Sequence, residues 1–137
     1  MNEMEKRILE EYERDYNIEA ASYQIMGKML DEEYVEKRLR MFDIRQAYIY
    51  GGTYMAIQLY RVGKKYTTMK GIVDRSGKII FDEPVLVMTL DEFRETYHGE
   101  KIIVSPIRFF EEIKKDLELF AEEKDILNIG ELFFGVI

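Results

Sequence analysis

Short apolar runs recur along the second two-thirds of this chain, separated by stretches in which apolar residues fall at helical spacing. Ala47-Tyr48-Ile49-Tyr50 is the first such run, and Gly71-Ile72-Val73, ending a strand over residues 69–74, is the second. Residues 85–88, 101–104 and 125–129 continue the series. Runs of this length, rich in β-branched and aromatic residues, read as strands buried on both faces. Between them, Met55, Leu59 and Val62 mark a helix over residues 54–62, with Gly63 as its stop. Thr89 and Glu92 have capping-box spacing and open a short helix through Tyr97, ended by His98-Gly99. Ser105-Pro106 opens another, Ser as N-cap and Pro at the first helical place, with Phe109, Ile113, Leu117 and Phe120 as its buried stripe. Strand–helix alternation predicts an α/β fold: a mostly parallel five-stranded sheet between two helical layers. The link from Asp74 to Val85 is short for a helical crossover and is expected to cross as an irregular loop. Within it, Ser76-Gly77-Lys78 reads as a turn, and Ile79-Ile80-Phe81 as a short extra strand before the Asp82-Glu83-Pro84 break.

The first 45 residues read as helix. Ile8, Tyr12, Tyr16 and Ile18 recur near helical spacing, and Tyr23, Met26 and Leu30 continue on one side. Asp31 is positioned to N-cap a second helix over residues 32–41 carrying Val35 and Leu39. The chain therefore divides into a helical segment, 1–45, and an α/β unit, 46–137. The segment serves either as a layer packed on the sheet or as an arm for a homodimer or protein partner, with Tyr12, Tyr16, Tyr23, Met26 and Met29 as its adhesive surface. The C-terminal tail is unusually apolar: Leu132, Phe133, Phe134, Val136 and Ile137 need cover, from the N-terminal helices or a second subunit.

Composition narrows the function classes. The 137 residues carry a formal charge of −7, which argues against general nucleic-acid binding. The pairs Lys64-Lys65 and Lys114-Lys115 read as solvated faces. With no cysteine, disulfides, thiolate metal sites and cysteine nucleophiles are excluded. No apolar run reaches the ~20 residues of a membrane helix, and the charged N-terminus does not read as a secretory signal. A cytoplasmic location is expected.

The densest chemistry lies where the first strand meets Gly51-Gly52. A strand, a glycine turn and a helix present backbone N–H groups and a helix dipole to an anion. Set on G-x-G-x-x-G, Gly51 takes the first place, Thr53 stands at the second glycine and Ala56 at the third. Thr53 either N-caps the helix or offers its hydroxyl to one phosphate. Asp74 ends the second strand about 20 residues on, where an acid meets a ribose hydroxyl in nucleotide-binding βαβ units. The alternative is a tight turn that holds no ligand. Catalytic candidates are sparse. His98, the single histidine, falls in a surface turn. Asp31-Glu32-Glu33, Glu111-Glu112 and Glu122-Glu123 are neighbours on helices and do not converge. Ser105 has no visible base, and Tyr50 and Tyr54 stand near the turn among many core tyrosines. No catalytic residue and no metal ligand is assigned.

In order, Tyr48-Ile49-Tyr50-Gly51-Gly52, Lys70-Gly71-Ile72-Val73-Asp74, Pro84-Val85-Leu86-Val87, Leu90-Asp91-Glu92-Phe93 and Ile102-Ile103-Val104-Ser105-Pro106 followed by Phe110-Glu111-Glu112-Ile113-Lys114 resemble a small Rossmann-like domain. That domain precedes the left-handed β-helix of bacterial sugar-nucleotide N-acetyltransferases and is attached to glycosyltransferases and FkbM-type methyltransferases. The resemblance spans residues 46–132, roughly two-thirds of the chain. It implies a Rossmann-like three-layer sandwich whose crevice holds the nucleotide part of a sugar nucleotide. Gly51, Gly52 and Thr53, with Tyr54 beside them, would sit by the phosphates, Asp74 by the ribose or base, and Ser105 along the crevice. NAD(P) or a UDP-sugar is the implied ligand class. The expected function is a nucleotide- or sugar-nucleotide-binding accessory protein in surface-polysaccharide biosynthesis, without catalysis of its own. The alternative is a degenerate scaffold acting as a protein-interaction module, and a third reading is an enzyme acting on NAD(P) or a nucleotide sugar.

Overall fold

The computed structural model describes residues 1–77 and 85–135. Two helices, α1 (Glu3–Lys28) and α2 (Glu32–Met41), precede β1 (Gln46–Tyr50), α3 (Tyr54–Gly63), β2 (Thr68–Val73) and β3 (Val87–Met88). Then follow α4 (Leu90–Thr96), β4 (Lys101–Val104), a 3₁₀ turn (Ile107–Phe109), α5 (Phe110–Leu117), β5 (Ile126–Asn128) and α6 (Ile129–Phe134). The strands form one all-parallel sheet in the order β3-β2-β1-β4-β5. β1 is central because its run Ala47-Tyr48-Ile49-Tyr50 is buried on both faces. Tyr50 aligns with Val73 on one side and Val104 on the other, so β1, β2 and β4 end level. The order reverses between β1 and β4, which makes that junction the topological switch point.

Strand periodicity sorts the core into two layers. Ala47, Ile49, Ile72 and Ile103 face α2, α3, α6 and the end of α1, where Val35, Leu39, Leu59, Leu132 and Phe133 pack. Tyr48, Tyr50, Val73, Ile102 and Val104 face α4 and α5, packing with Phe93, Ile113 and Leu117. Each fully buried Leu, Ile or Phe contributes about 1.5–3 kcal/mol of transfer free energy. The predicted α/β sandwich is thus present, with a sheet that is parallel throughout.

Local signals behave as their chemistry dictates. Asp31 Oδ1 accepts from the Tyr34 N–H at 3.2 Å and caps α2. Thr89 Oγ1 accepts from the Glu92 N–H at 3.3 Å and caps α4. Gly63 is the last helical residue of α3 rather than a stop beyond it, and Lys64 takes the cap in right-handed conformation. Ile79-Ile80-Phe81, the Asp82-Glu83-Pro84 break and the predicted loop crossing lie outside the described residues, as do Lys78, Val136 and Ile137.

Two expectations change, and the choice left open for the apolar tail is resolved. α1 is one continuous helix, and its core-facing residues are Ile25 and Met29, while Tyr23 and Leu30 are exposed. The helix carries two apolar stripes, and only the one facing α3 and α6 is buried. The helix after Ser105 begins later than predicted, at Phe110, and Ser105 does not cap it. Phe109 accordingly stands outside the stripe and half exposed, while Ile113 and Leu117 are buried. The apolar tail folds as α6, with Leu132 and Phe133 buried, and the N-terminal helices of the same chain cover it. Arg38 ties this cover down: its guanidinium donates to the Leu132 carbonyl at 2.6 Å and the Gly135 carbonyl at 2.6 Å. Tyr34 Oη donates to the Phe133 carbonyl, also at 2.6 Å. Carbonyls at the end of α6, without partners inside the helix, are satisfied this way.

Candidate functional site

Gly51 turns the chain out of β1 at φ +98°, a conformation that disfavours side chains. The turn is also tight in space. A Cβ on Gly51 would lie 2.6 Å from Pro106 Cδ and Cγ and 3.0 Å from Ser105 Oγ. The β4 exit therefore packs directly on the β1 exit at the switch point.

Hydrogen bonds knit the two exits together. Thr53 Oγ1 accepts from the Ala56 N–H at 3.2 Å, and its own hydrogen goes to Ser105 Oγ at 2.9 Å. Ser105 Oγ in turn donates to the Gly51 carbonyl at 3.0 Å. Thr53 is thus the N-cap of α3. This explains why Ser105 does not cap the following helix: its hydroxyl is turned across the switch point to the glycine turn. Both hydroxyl hydrogens are spent within the protein, and the Ser105 hydroxyl donates to a backbone carbonyl rather than to a basic side chain.

Asp74 follows β2 and reaches the same turn. Its Oδ1 accepts from the Gly52 N–H at 3.1 Å, and its Oδ2 accepts from the Ser76 N–H at 3.1 Å and from the Ser76 hydroxyl. Burial pushes the carboxyl up, but the Ser76 and Gly52 hydrogen bonds outweigh it and hold the group below its ordinary range. A fixed carboxylate therefore sits on one of the N–H groups of the glycine turn.

Two cavities meet at Pro106 and Phe109, which line both. One, of about 330 Å³, lies over the ends of β1 and β2 and is bounded by Tyr50, Gly51, Asp74, Arg75, Phe109 and Glu112. The other, of about 620 Å³, lies between α1 and the start of α3, against Met26, Met55, Pro106, Ile107 and Phe109. The first sets Asp74, Arg75 and Glu112 among apolar surface from Tyr50, Pro106, Phe109 and Ile113. The second is apolar apart from its rim.

Of the residues singled out in the sequence, Gly51, Gly52, Thr53, Asp74 and Ser105 form one hydrogen-bonded unit. Tyr54 does not join it: its side chain is 85% exposed at the start of α3. Tyr50 is buried on the α5 side. His98 lies by the opposite end of the sheet, near the start of β4, where its ring meets the Thr96 carbonyl at 2.6 Å. Among the described residues, no group of three or more His, Cys, Asp or Glu is placed to hold a metal ion. None of their helices is long and apolar enough to cross a membrane. Arg75, Pro106 and Glu112 were missed in the sequence. Arg75 had a readable signal, a cation directly after the strand-ending acid. Pro106 and Glu112 had none, because their contact with the turn is long-range.

Comparison with protein-family models, curated proteins and solved structures found no significant match.

Proposed function

We propose that this protein binds a nucleotide-type ligand at the switch point and performs no chemistry of its own. The observation that carries this reading is Asp74: a carboxylate fixed at the end of β2, docked on the glycine turn and opening with Arg75 onto a 330 Å³ cavity. Such an acid accepts from ribose hydroxyls, and a neighbouring arginine meets a phosphate. The position also obeys the rule that open α/β sheets bind ligands beyond their strand C-termini, where the strand order reverses. Within this reading the ligand class is NAD(P) or a UDP-sugar, each of which carries a diphosphate that must pass Thr53. An accessory role in surface-polysaccharide assembly follows from the sequence resemblance alone.

A second reading has its own support. Pro106 fills the space against Gly51, and the Gly52 N–H is already engaged by Asp74. Both features suit a scaffold whose phosphate subsite has closed and which works through protein contacts. Calorimetric titration with UDP, UDP-N-acetylglucosamine, NAD and NADP separates the two. Binding of one class that is lost in Asp74→Ala supports the first reading. No heat with any of them, from protein whose folding is verified, leaves the scaffold reading.

A further inference from the structure

The first four turns of α1 bury no residue: residues 3–17 are exposed throughout. An isolated helix this short is marginal in water, since most helical stability in proteins comes from packing of an apolar face. The face left open is not a random surface. Ile8, Tyr12, Tyr16 and Tyr23 are 61%, 68%, 63% and 75% exposed, and at 3.6 residues per turn they share one side of the helix. Glu5, Asp15 and Glu19 fall on or beside that stripe, while Glu3, Glu10, Glu11 and Glu13 lie off it. The helix's basic residues, Lys6, Arg7, Arg14 and Lys28, all fall on the other half. Asp15 is paired with Arg108 on the domain, and Ile25 and Met29 at the far end of the helix are buried. The stripe then runs into the 620 Å³ apolar cavity, where Tyr23 and Met26 form one wall and Phe109 the other.

We propose that this face of α1, together with the cavity it leads into, docks an amphipathic helix of another protein that carries Lys and Arg beside its apolar stripe. Charge selects that occupant. A second copy of this chain packed antiparallel would set Glu5 against Glu19, and like charges across an interface disfavour it. A membrane surface calls for basic residues flanking the apolar stripe, the reverse of what α1 offers. A basic helix meets the acids at its rim and places an apolar anchor in the cavity, the pattern of a buried hot spot inside a polar rim. This surface lies across Pro106 and Phe109 from the Asp74 cavity, and the test reads it without nucleotide.

The test uses two fluorescein-labelled synthetic helices of equal length and apolar stripe, one flanked by Lys and Arg, its twin by Glu. Fluorescence anisotropy is read against the full chain at low and high salt. The basic helix is expected to bind at least about tenfold more tightly than its twin, with affinity falling as salt rises. Tyr12→Ser/Tyr16→Ser should lose most of that binding. Glu5→Lys/Glu19→Lys should invert the preference toward the acidic twin. All four positions are solvent-facing, and circular dichroism checks that each variant keeps its fold. Hydrogen exchange should slow within residues 5–23 on adding the basic helix. Equal binding of the twins, no binding of either, or failure of the charge swap overturns the proposal. So does a concentration-dependent dimer in sedimentation that Tyr12→Ser/Tyr16→Ser abolishes, because the face would then belong to a second copy.

Discussion

Gly51→Ala probes the switch point through two separable costs. Gly51 sits at φ +98°, outside the regions open to alanine, and the new methyl would lie 2.6 Å from two Pro106 ring carbons. The backbone penalty is about 1–2 kcal/mol, and overpacking adds about 1–3 kcal/mol. The expected loss is therefore about 2–5 kcal/mol, a large share of the ~5–15 kcal/mol that holds an ordinary domain together. For a chain of this length that is roughly 6–15 °C in Tm. Urea unfolding followed by far-UV circular dichroism measures it, with an unchanged m-value certifying that the same surface unfolds. Repeating Gly51→Ala in a Pro106→Ala background removes the ring carbons and leaves the backbone penalty. The cost should then shrink by at least about 1 kcal/mol, the coupling expected for residues in contact. A loss below about 0.5 kcal/mol, within the range of ordinary surface changes, or strict additivity of the two substitutions, would refute the packing of the β4 exit on the glycine turn.

Three further outcomes follow from the fold. Arg38→Met keeps the buried stem but strands the α6 carbonyls that Arg38 serves at 2.6 Å, so it should cost about 2–4 kcal/mol in urea unfolding. Thr53→Val deletes both the cap on Ala56 and the bond to Ser105; it should cost about 1–2 kcal/mol, while Thr53→Ser stays within about 0.5 kcal/mol of the natural protein. pH acts at both ends. Tyr97 is pushed up to about 12, first by burial and then by the Asp125, Glu100 and Glu122 carboxylates. Its folded value lies above its ordinary 10.0, so its contribution is whole below pH 10 and lost as pH rises toward 12. Tyr97→Phe should flatten that alkaline fall in the urea midpoint. Burial raises Glu100, but the Lys70 ammonium and the His98 N–H outweigh it and hold the carboxyl below its ordinary 4.5. That contribution is present above pH 4.5 and lost as pH falls through the lower folded value; Glu100→Gln should weaken this acid transition.

What the sequence disclosed divides by distance along the chain. Asp31, Thr53 and Thr89 were readable as caps because each bonds an N–H three residues away. The strands were readable because β-branched runs bounded by glycine or capping residues leave little else to form. The partners of Ser105 and Arg38 were not, since Ser105 reaches back to Gly51, and Arg38 forward to Leu132. No local pattern encodes such pairs. In α1 the period was plain, but the helix offers two apolar stripes, and only the tertiary fold determines that Ile25 and Met29 go in while Tyr23 stays out. Six-residue α6 escaped notice because a segment shorter than two turns carries no helical period. At the candidate site, the glycine turn and the strand-ending acid were legible as types. Their joining through Gly52 N–H and the closure by Pro106 became visible only in three dimensions.

The most direct measurement is a two-dimensional NMR titration of ¹⁵N-labelled protein with UDP and a UDP-sugar. The account predicts saturable shifts centred on the amides of Gly51, Gly52, Asp74 and Arg75, and their loss in Asp74→Asn. An unmoved glycine turn at millimolar nucleotide, or shifts confined to another surface, would contradict a nucleotide site at the switch point.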